Sequence, residues 1–407
     1  MAEKKIGIAG KRGSNVRSDC YIEIENKKSG GLKIDLKSKV DSMFGDSIRT
    51  QVKAMSEFFG LKNANILIED AGALPFTLAA RFELAVKNLF PEIEKEYLPE
   101  FNNKNKYKTT KERLRRSRLY LPGNEPKFYP NAGLHKPDGI ILDLEDSVSP
   151  TEKEAAQLLV RNALRSVDFY GAERMVRINQ LPRGLDDLRF IVPHNVHVIL
   201  IPKVESADQV IDVEKNVELL KKEFKVKDDI YFMPIIESAL GVINSFEIAS
   251  ASKYNCALAV GLEDYTADIG VERTNEGRES IFARSMIVNA AKAAKIQAID
   301  TVFSDVTDME GLRQSVIEAK SIGFEGKGCI HPRQVKVVNE TFLPTESEID
   351  KAKKIVLAFE EAEAKGLGVV SLGSKMIDAP VVKRARRIVK LAEENKLLSK
   401  NWREKTV

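Results

Sequence analysis

The chain has 407 residues, 43% of them apolar, with 64 Lys and Arg against 60 Asp and Glu for a net charge of +4. That length exceeds one ordinary domain, so two are expected, and so small a net charge argues against general nucleic-acid binding. Cys20, Cys256 and Cys329 form no CxxC pair, which suggests neither a disulfide framework nor a zinc cluster and fits a cytoplasmic setting. The opening MAEKKIGIAGKRG has no apolar signal core, and no run approaches the roughly 18 apolar residues of a membrane span, so a soluble protein with no membrane partner is expected.

Residues 1–90 read as a small α+β domain. Segments 21–25 (YIEIE) and 32–36 (LKIDL) alternate apolar and polar residues as half-buried strands do, and Ser29-Gly30-Gly31 between them predicts a hairpin. The period then changes: Val40, Met43, Phe44, Ile48, Val52, Met55 and Phe59 recur at helical spacing. A further strand over 65–69 and a helix over 79–89, with Phe82, Ala85 and Leu89 on one face, complete the unit.

Residues 91–115 are polar and charged, and read as a linker. The basic cluster Lys111, Arg113, Arg115, Arg116 and Arg118 reads as a solvated segment more readily than as a phosphate site. Arg118 stands apart, because it abuts the first strand of the next domain.

Over 116–340, apolar runs recur at 119–122, 139–142, 175–178, 196–201, 231–236, 257–260, 298–302 and 328–330, with helix-length intervals. Eight such βα units predict a (β/α)8 TIM barrel. An open doubly wound sheet is the alternative, but no GxGxxG follows a first strand. Residues 341–407 form a helical extension, with helical patterns over 347–365 and 380–397 joined by a Gly-rich stretch.

Polar residues cluster where the runs end: Asp143, Glu145 and Asp146; Arg177 and Asn179; Lys203 and Glu205; Glu237; Glu263 and Asp264; Asp300; His331. In a parallel barrel these positions face the ligand-binding mouth. Two carboxylates there, Glu237 and Asp264, suit Mg²⁺, which takes one or two carboxylates and keeps water or substrate oxygens as its other ligands. The competing reading is a helix cap at each. Arg177 suits an anionic substrate, since its fork grips a carboxylate bidentately. Asp378, two residues before Pro380, reads on its own as an N-cap.

The stretches RSRLYLPGNEPK (116–127), DGIILDLEDSVSPTEK (138–153), MVRIN (175–179), PIIESALGVIN (234–244), VGLEDYTADIG (260–270), GFEGKGCIHPRQV (323–335) and GSKMIDAP (373–380) resemble the citrate lyase β-subunit family of (β/α)8 enzymes, which includes malyl-CoA and citramalyl-CoA lyases. The resemblance implies Mg²⁺ on Glu237 and Asp264, and a substrate carboxylate on Arg177. It further implies substrate contacts from Tyr120, Lys127, Glu145 and Asp146, and a catalytic acid at Asp378 carried by a C-terminal lid. The N-terminal unit resembles the citrate lyase acyl carrier protein through GIAG (7–10), SKVDSMFGDSIR (38–49) and DAGALPFTLAARFELAV (70–86). That family carries a phosphoribosyl-dephospho-CoA arm on a serine near the N-terminus. Here Ser14 matches by distance from the start and Ser18 by adjacency to Asp19, in a longer link than the family's.

The expectation is therefore a fused carrier and lyase that cleaves a citryl or related 3-hydroxyacyl thioester to oxaloacetate and an acetyl thioester. A homo-oligomer and a separate acyl-transferase (α) subunit are implied as partners. A malyl-CoA or citramalyl-CoA lyase with a degenerate carrier unit is the alternative, and a noncatalytic assembly scaffold the second.

Overall fold

The computed structural model describes residues 5–364, 366, 370–372 and 375–403. The chain forms two compact units, Met1–Val338 and Asn339–Val407. Among the described residues no helix is long and apolar enough to cross a membrane.

The first unit begins with a four-stranded sheet in the order β1-β2-β4-β3, built from β1 (Ile6–Gly10), β2 (Cys20–Asn26), β3 (Leu32–Ser38) and β4 (Ala64–Asp70). The predicted hairpin is not formed. Ser29–Gly31 does turn the chain, with Gly30 and Gly31 at φ 109° and 72°, but β2 pairs antiparallel with β4 and β3 pairs parallel with β4. The crossover through helix α1 (Asp41–Phe59) returns β4 into the gap between them. Alternation along β2 and β4 buries Ile22, Ile24, Ile66 and Ile68 together with Ile48, Val52, Met55 and Phe59 of α1. Each such side chain contributes roughly 1.5–3 kcal/mol. Met43 and Phe44, expected on that apolar face, are 73% and 53% exposed.

Helix α2 (Pro75–Leu89) is buried from Phe76 through Val86, far beyond the single face its periodicity predicts. The reason is a second neighbour. Ala155, Leu158 and Leu159, from the barrel helix Lys153–Ser166, belong to the same hydrophobic core. Glu83 of α2 accepts from Arg161 of that helix at 2.9 and 2.7 Å, both side chains being fully buried. The carrier-like unit is thus fused to the barrel through a shared core.

Eight parallel strands close the barrel: β5 (Ser117–Pro122), β6 (Gly139–Asp143), β7 (Glu173–Arg177), β8 (Val198–Ile201), β9 (Tyr231–Ile236), β10 (Ala257–Val260), β11 (Gln297–Asp300) and β12 (Gly326–Cys329), with β12 pairing back onto β5. The eight expected runs fall on these strands, the last beginning two residues and ending one residue earlier than expected. Segment 91–115 is irregular apart from a short turn at Asn103–Asn105, and its basic cluster is not simply solvated. Arg115 is buried and donates from Nε and Nη2 to Glu173 at 2.8 Å each, and Arg116 grips Asp138 at 2.8 and 2.9 Å.

The second unit pairs helices Glu346–Ala364 and Ala379–Glu394 around Ile355, Val356, Ile377, Val382, Val389 and Trp402. The Gly-rich stretch between them includes a hairpin of β13 (Val370–Leu372) and β14 (Lys375–Ile377). Gly373 and Ser374 of the GSKMIDAP motif lie outside the described residues.

Candidate active site

The barrel strands end around a cavity of about 370 Å³ lined by Tyr120, Asp143, Asp146, Arg177, Glu237 and Asp264 among others. Strand pairing sets the levels: Pro122, Asp143 and Arg177 are register partners across β5, β6 and β7. Arg177 donates from Nε and Nη2 to the two oxygens of Asp143, 2.7 Å each, and its Nη1 stands 2.8 Å from Glu145 Oε2. Its guanidinium lies 5.4 Å from the centre of the Tyr120 ring. Asp143, which also receives the backbone N–H of Glu145 at 3.0 Å, is therefore the organiser of this corner. Burial pushes the Asp143 carboxyl up, but the hydrogen bonds and charge of Arg177 outweigh it and leave the pKa below the ordinary value.

Glu237 follows β9 directly, and Asp264 lies in the first turn of the helix Leu262–Asp268 after β10. Burial, then the Asp264 carboxylate within hydrogen-bond reach, and then Glu145, push Glu237 up to about 8. Glu145 is pushed up to about 7 by burial with Asp146 adding to it, against Arg177 and Lys203. Its buried Oε2 has no aligned hydrogen-bond donor despite the nearness of Arg177. Lys203 Nζ stands between the two acid sets, 3.6 Å from Glu145, 3.7 Å from Asp146 and 3.5 Å from Asp264. Gly261 leaves room for the Glu237 carboxylate: a Cβ there would come within 2.6 Å of Glu237 Oε2 and displace it.

Two crowded carboxylates, one held near pH 8, are a donor set that a divalent cation satisfies by taking the place of a proton. Among the described residues no group of three or more His, Cys, Asp or Glu side chains makes a metal cage. The pair therefore suits a hard ion that completes its shell with water and substrate oxygens.

Not every expected residue joins this cavity. Lys127 is exposed, paired with Glu125 at 2.9 Å and set over the Phe128 ring, and is not among the lining residues. Asp300 contributes to the wall, but its carboxylate is engaged by Lys327 at 2.7 Å and Arg284 at 3.2 Å. Asp378, in the second unit, is exposed and caps its helix by accepting from the Val381 N–H at 3.2 Å, as its spacing from Pro380 suggests. Asp143 and Lys203 hold the site together, yet as single strand-end residues they carry no signal beyond position.

Ser14 is exposed in a turn closed by Val16 N–H donating to the Gly13 carbonyl at 3.3 Å. Ser18 is half-buried at φ 54°, with its N–H bound to the Ala71 carbonyl, beside an Asp19 that is locked to Arg81 at 2.9 and 2.7 Å. Lys11, three residues before Ser14, reaches the barrel: its Nζ is 2.6 Å from Glu125 and 3.6 Å from Glu152. Those acids lie in the loops after β5 and β6, on the face where the cavity opens.

The fold and site together define a carbon–carbon lyase of the (β/α)8 class. Residues 116–332 match the HpcH/HpaI aldolase/citrate lyase family, and the chain belongs to it. Residues 5–89 match the malonate decarboxylase delta subunit (MdcD) family, an acyl-carrier-like unit. The chain is 43% identical over 290 residues to the citrate lyase subunit beta of Leuconostoc mesenteroides subsp. cremoris, a match covering 70% of this chain and 96% of that one. It is 34% identical over 291 residues to the mitochondrial citramalyl-CoA lyase of Mus musculus, covering 68% and 86%. Among solved structures it resembles the CitE protein of Mycobacterium tuberculosis in complex with magnesium, acetoacetate and coenzyme A. That match has a TM-score of 0.59 and 28% identity, and covers 70% of this chain and 99% of that one.

Proposed function

We propose that the barrel cleaves a citryl thioester, or a close 3-hydroxyacyl relative, into oxaloacetate or its counterpart and an acetyl thioester. The observation that carries this reading is the paired Glu237 and Asp264 beside Arg177 at one barrel mouth. Glu237 and Asp264 hold Mg²⁺, as the residues present fit it. When bound, the ion stabilises negative charge developing on the substrate hydroxyl oxygen.

The chain's own groups do the rest. The hydroxyl passes its proton to solvent water as its oxygen becomes the new carbonyl, and the electron pair of the breaking C–C bond moves to the thioester enolate. Arg177, anchored by Asp143, and Lys203 bind the acid half of the substrate and fix its orientation. The Tyr120 ring forms the wall beside Arg177. The enolate carbon then takes up a proton, and delivering it is the role that the family resemblance gives to Asp378.

The exposed Ser14 turn carries the phosphoribosyl-dephospho-CoA arm. With Lys11 tied to the loops after β5 and β6, the arm enters the cavity of its own chain. That fixed docking raises the local concentration of the thioester without any new contact. A separate acyl-transferase subunit loads the arm, and the protein works as a homo-oligomer in the cytoplasm. Turnover of citryl-, citramalyl- and malyl-CoA compared side by side tests the substrate: the citryl thioester should be cleaved with the highest kcat/KM, and preference for either of the others would move the assignment to that acid.

A further inference from the structure

We propose that Arg118 is a second anion-binding group on the floor of the barrel cavity, selecting substrates whose 2-oxo acid half carries a second carboxylate. The inference rests on the lyase reading above and adds to it the class of acid the site accepts.

Arg118 is the second residue of β5, four before the strand's mouth end at Pro122. It is only 1% exposed, yet it lines the cavity that Glu237 and Asp264 also line. A guanidinium brings five N–H donors and a charge it does not lose. Two of those donors find acceptors: Nη1 meets the Met233 thioether Sδ at 3.1 Å and Nη2 the Asp300 carbonyl at 3.3 Å. The buried Nε finds none.

Three other arginines of the barrel are paired with carboxylates, Arg115 with Glu173, Arg177 with Asp143 and Arg284 with Asp300, and buried Arg174, which lines no part of this cavity, is held by Asn195 and His197. Among the described residues Arg118 has no carboxylate partner. Asp300 offers it only a carbonyl, because the carboxylate there already holds Lys327 and Arg284. A buried cation without a counter-charge is strongly disfavoured unless a ligand supplies one. Burial lowers its pKa, as that imbalance requires.

The depth of Arg118 decides which anion fits. Four residues below the mouth end of β5, Arg118 meets the innermost end of an acyl group that enters from the mouth. A carboxylate accepts from two guanidinium N–H groups together, the bidentate geometry a guanidinium favours. Arg177 has less to offer, since its Nε and Nη2 edge is taken by Asp143. One carboxylate therefore lies at the Arg177 and Lys203 end, and the second at Arg118. A cleavage releasing a dicarboxylate 2-oxo acid uses both; one releasing a monocarboxylate leaves Arg118 unpaired.

Calorimetric binding to the full chain with Mg²⁺ tests this, using malate as the dicarboxylate probe and lactate as its monocarboxylate counterpart. Wild type should bind malate at least about tenfold more tightly than lactate, the low end for a charge-assisted pair. Arg118→Met should bring the two within about twofold while leaving lactate binding unchanged. If that variant fails to fold, Arg118→Gln is read in the same way. Equal binding of both probes by wild type, or an undiminished preference in a folded variant, overturns the role of Arg118 and leaves the lyase reading intact. Failure of wild type to bind either probe overturns both.

Discussion

Replacing Glu237 with Gln should make the metal-free protein more stable. Burial and the Asp264 carboxylate push Glu237 from 4.5 up to about 8. Between those values the folded state holds a proton that the unfolded chain releases. The stability this group contributes is therefore fully present below pH 4.5 and is lost as pH rises through 8. At pH 7 the loss spans about 2.5 pH units at roughly 1.36 kcal/mol each, or about 3 kcal/mol. Gln is neutral, and its amide oxygen can keep the Lys203 N–H bond that Glu237 Oε1 accepts at 3.2 Å. For the unit Met1–Val338, an unfolding entropy of about 2.1 cal/mol/K per residue sums to about 0.7 kcal/mol/K, so the gain is about 4–5 °C in Tm. Thermal unfolding followed by circular dichroism, in chelator and then in excess Mg²⁺, reads both halves of the argument. Wild type should melt below Glu237→Gln in chelator and gain Tm with Mg²⁺, by about 2.7 kcal/mol at a hundredfold excess over Kd, while the variant stays nearly flat. A variant that melts lower in chelator, or gains as much from Mg²⁺ as wild type, would refute the reasoning.

Three other outcomes follow from the same geometry. Arg177→Lys should cost both activity and stability, roughly 2–4 kcal/mol, because it deprives the buried Asp143 of a bidentate partner; a normal Tm with lost kcat/KM would show the Asp143 pairing to be dispensable. His194 and His197 are buried and held at about 3 by burial and neighbouring arginines. Their depressed values make stability fall as pH drops below 6.5 towards 3, so His197→Gln should shrink the stability difference between pH 8 and pH 5 by about 2 kcal/mol. Denaturant titrations at the two pH values check this, and an unchanged difference contradicts it. Peptide mass mapping of protein from its native host should find the phosphoribosyl-dephospho-CoA adduct on Ser14; an adduct on Ser18 moves the site, and bare serines in active protein favour free CoA thioesters as substrates.

The barrel was legible because parallel strands are covered on both faces and so appear as short apolar runs. The last strand was the hardest to place: Gly326–Cys329 reads GKGC, and its Lys327 is tolerated in the wall only because Asp300 neutralises it. Strand order in the N-terminal sheet was not legible, since a Gly-Gly turn reports a local reversal and not which strand later fills the gap. The burial of Arg115 was hidden for a related reason, its partner Glu173 lying 58 residues away. At the site, strand-end positions pointed to Glu237, Asp264 and Arg177. Position alone could not show that Arg177 spends its fork on Asp143, that Lys203 stands among three acids, or that Lys127 turns to Glu125.

The most direct test of the central claim is the formation of oxaloacetate from a citryl thioester with Mg²⁺, measured by a coupled NADH assay for wild type, Glu237→Gln and Asp264→Asn. The account predicts oxaloacetate and acetyl thioester in equal amounts from wild type and none above background from either folded variant. Full turnover by both variants would contradict it.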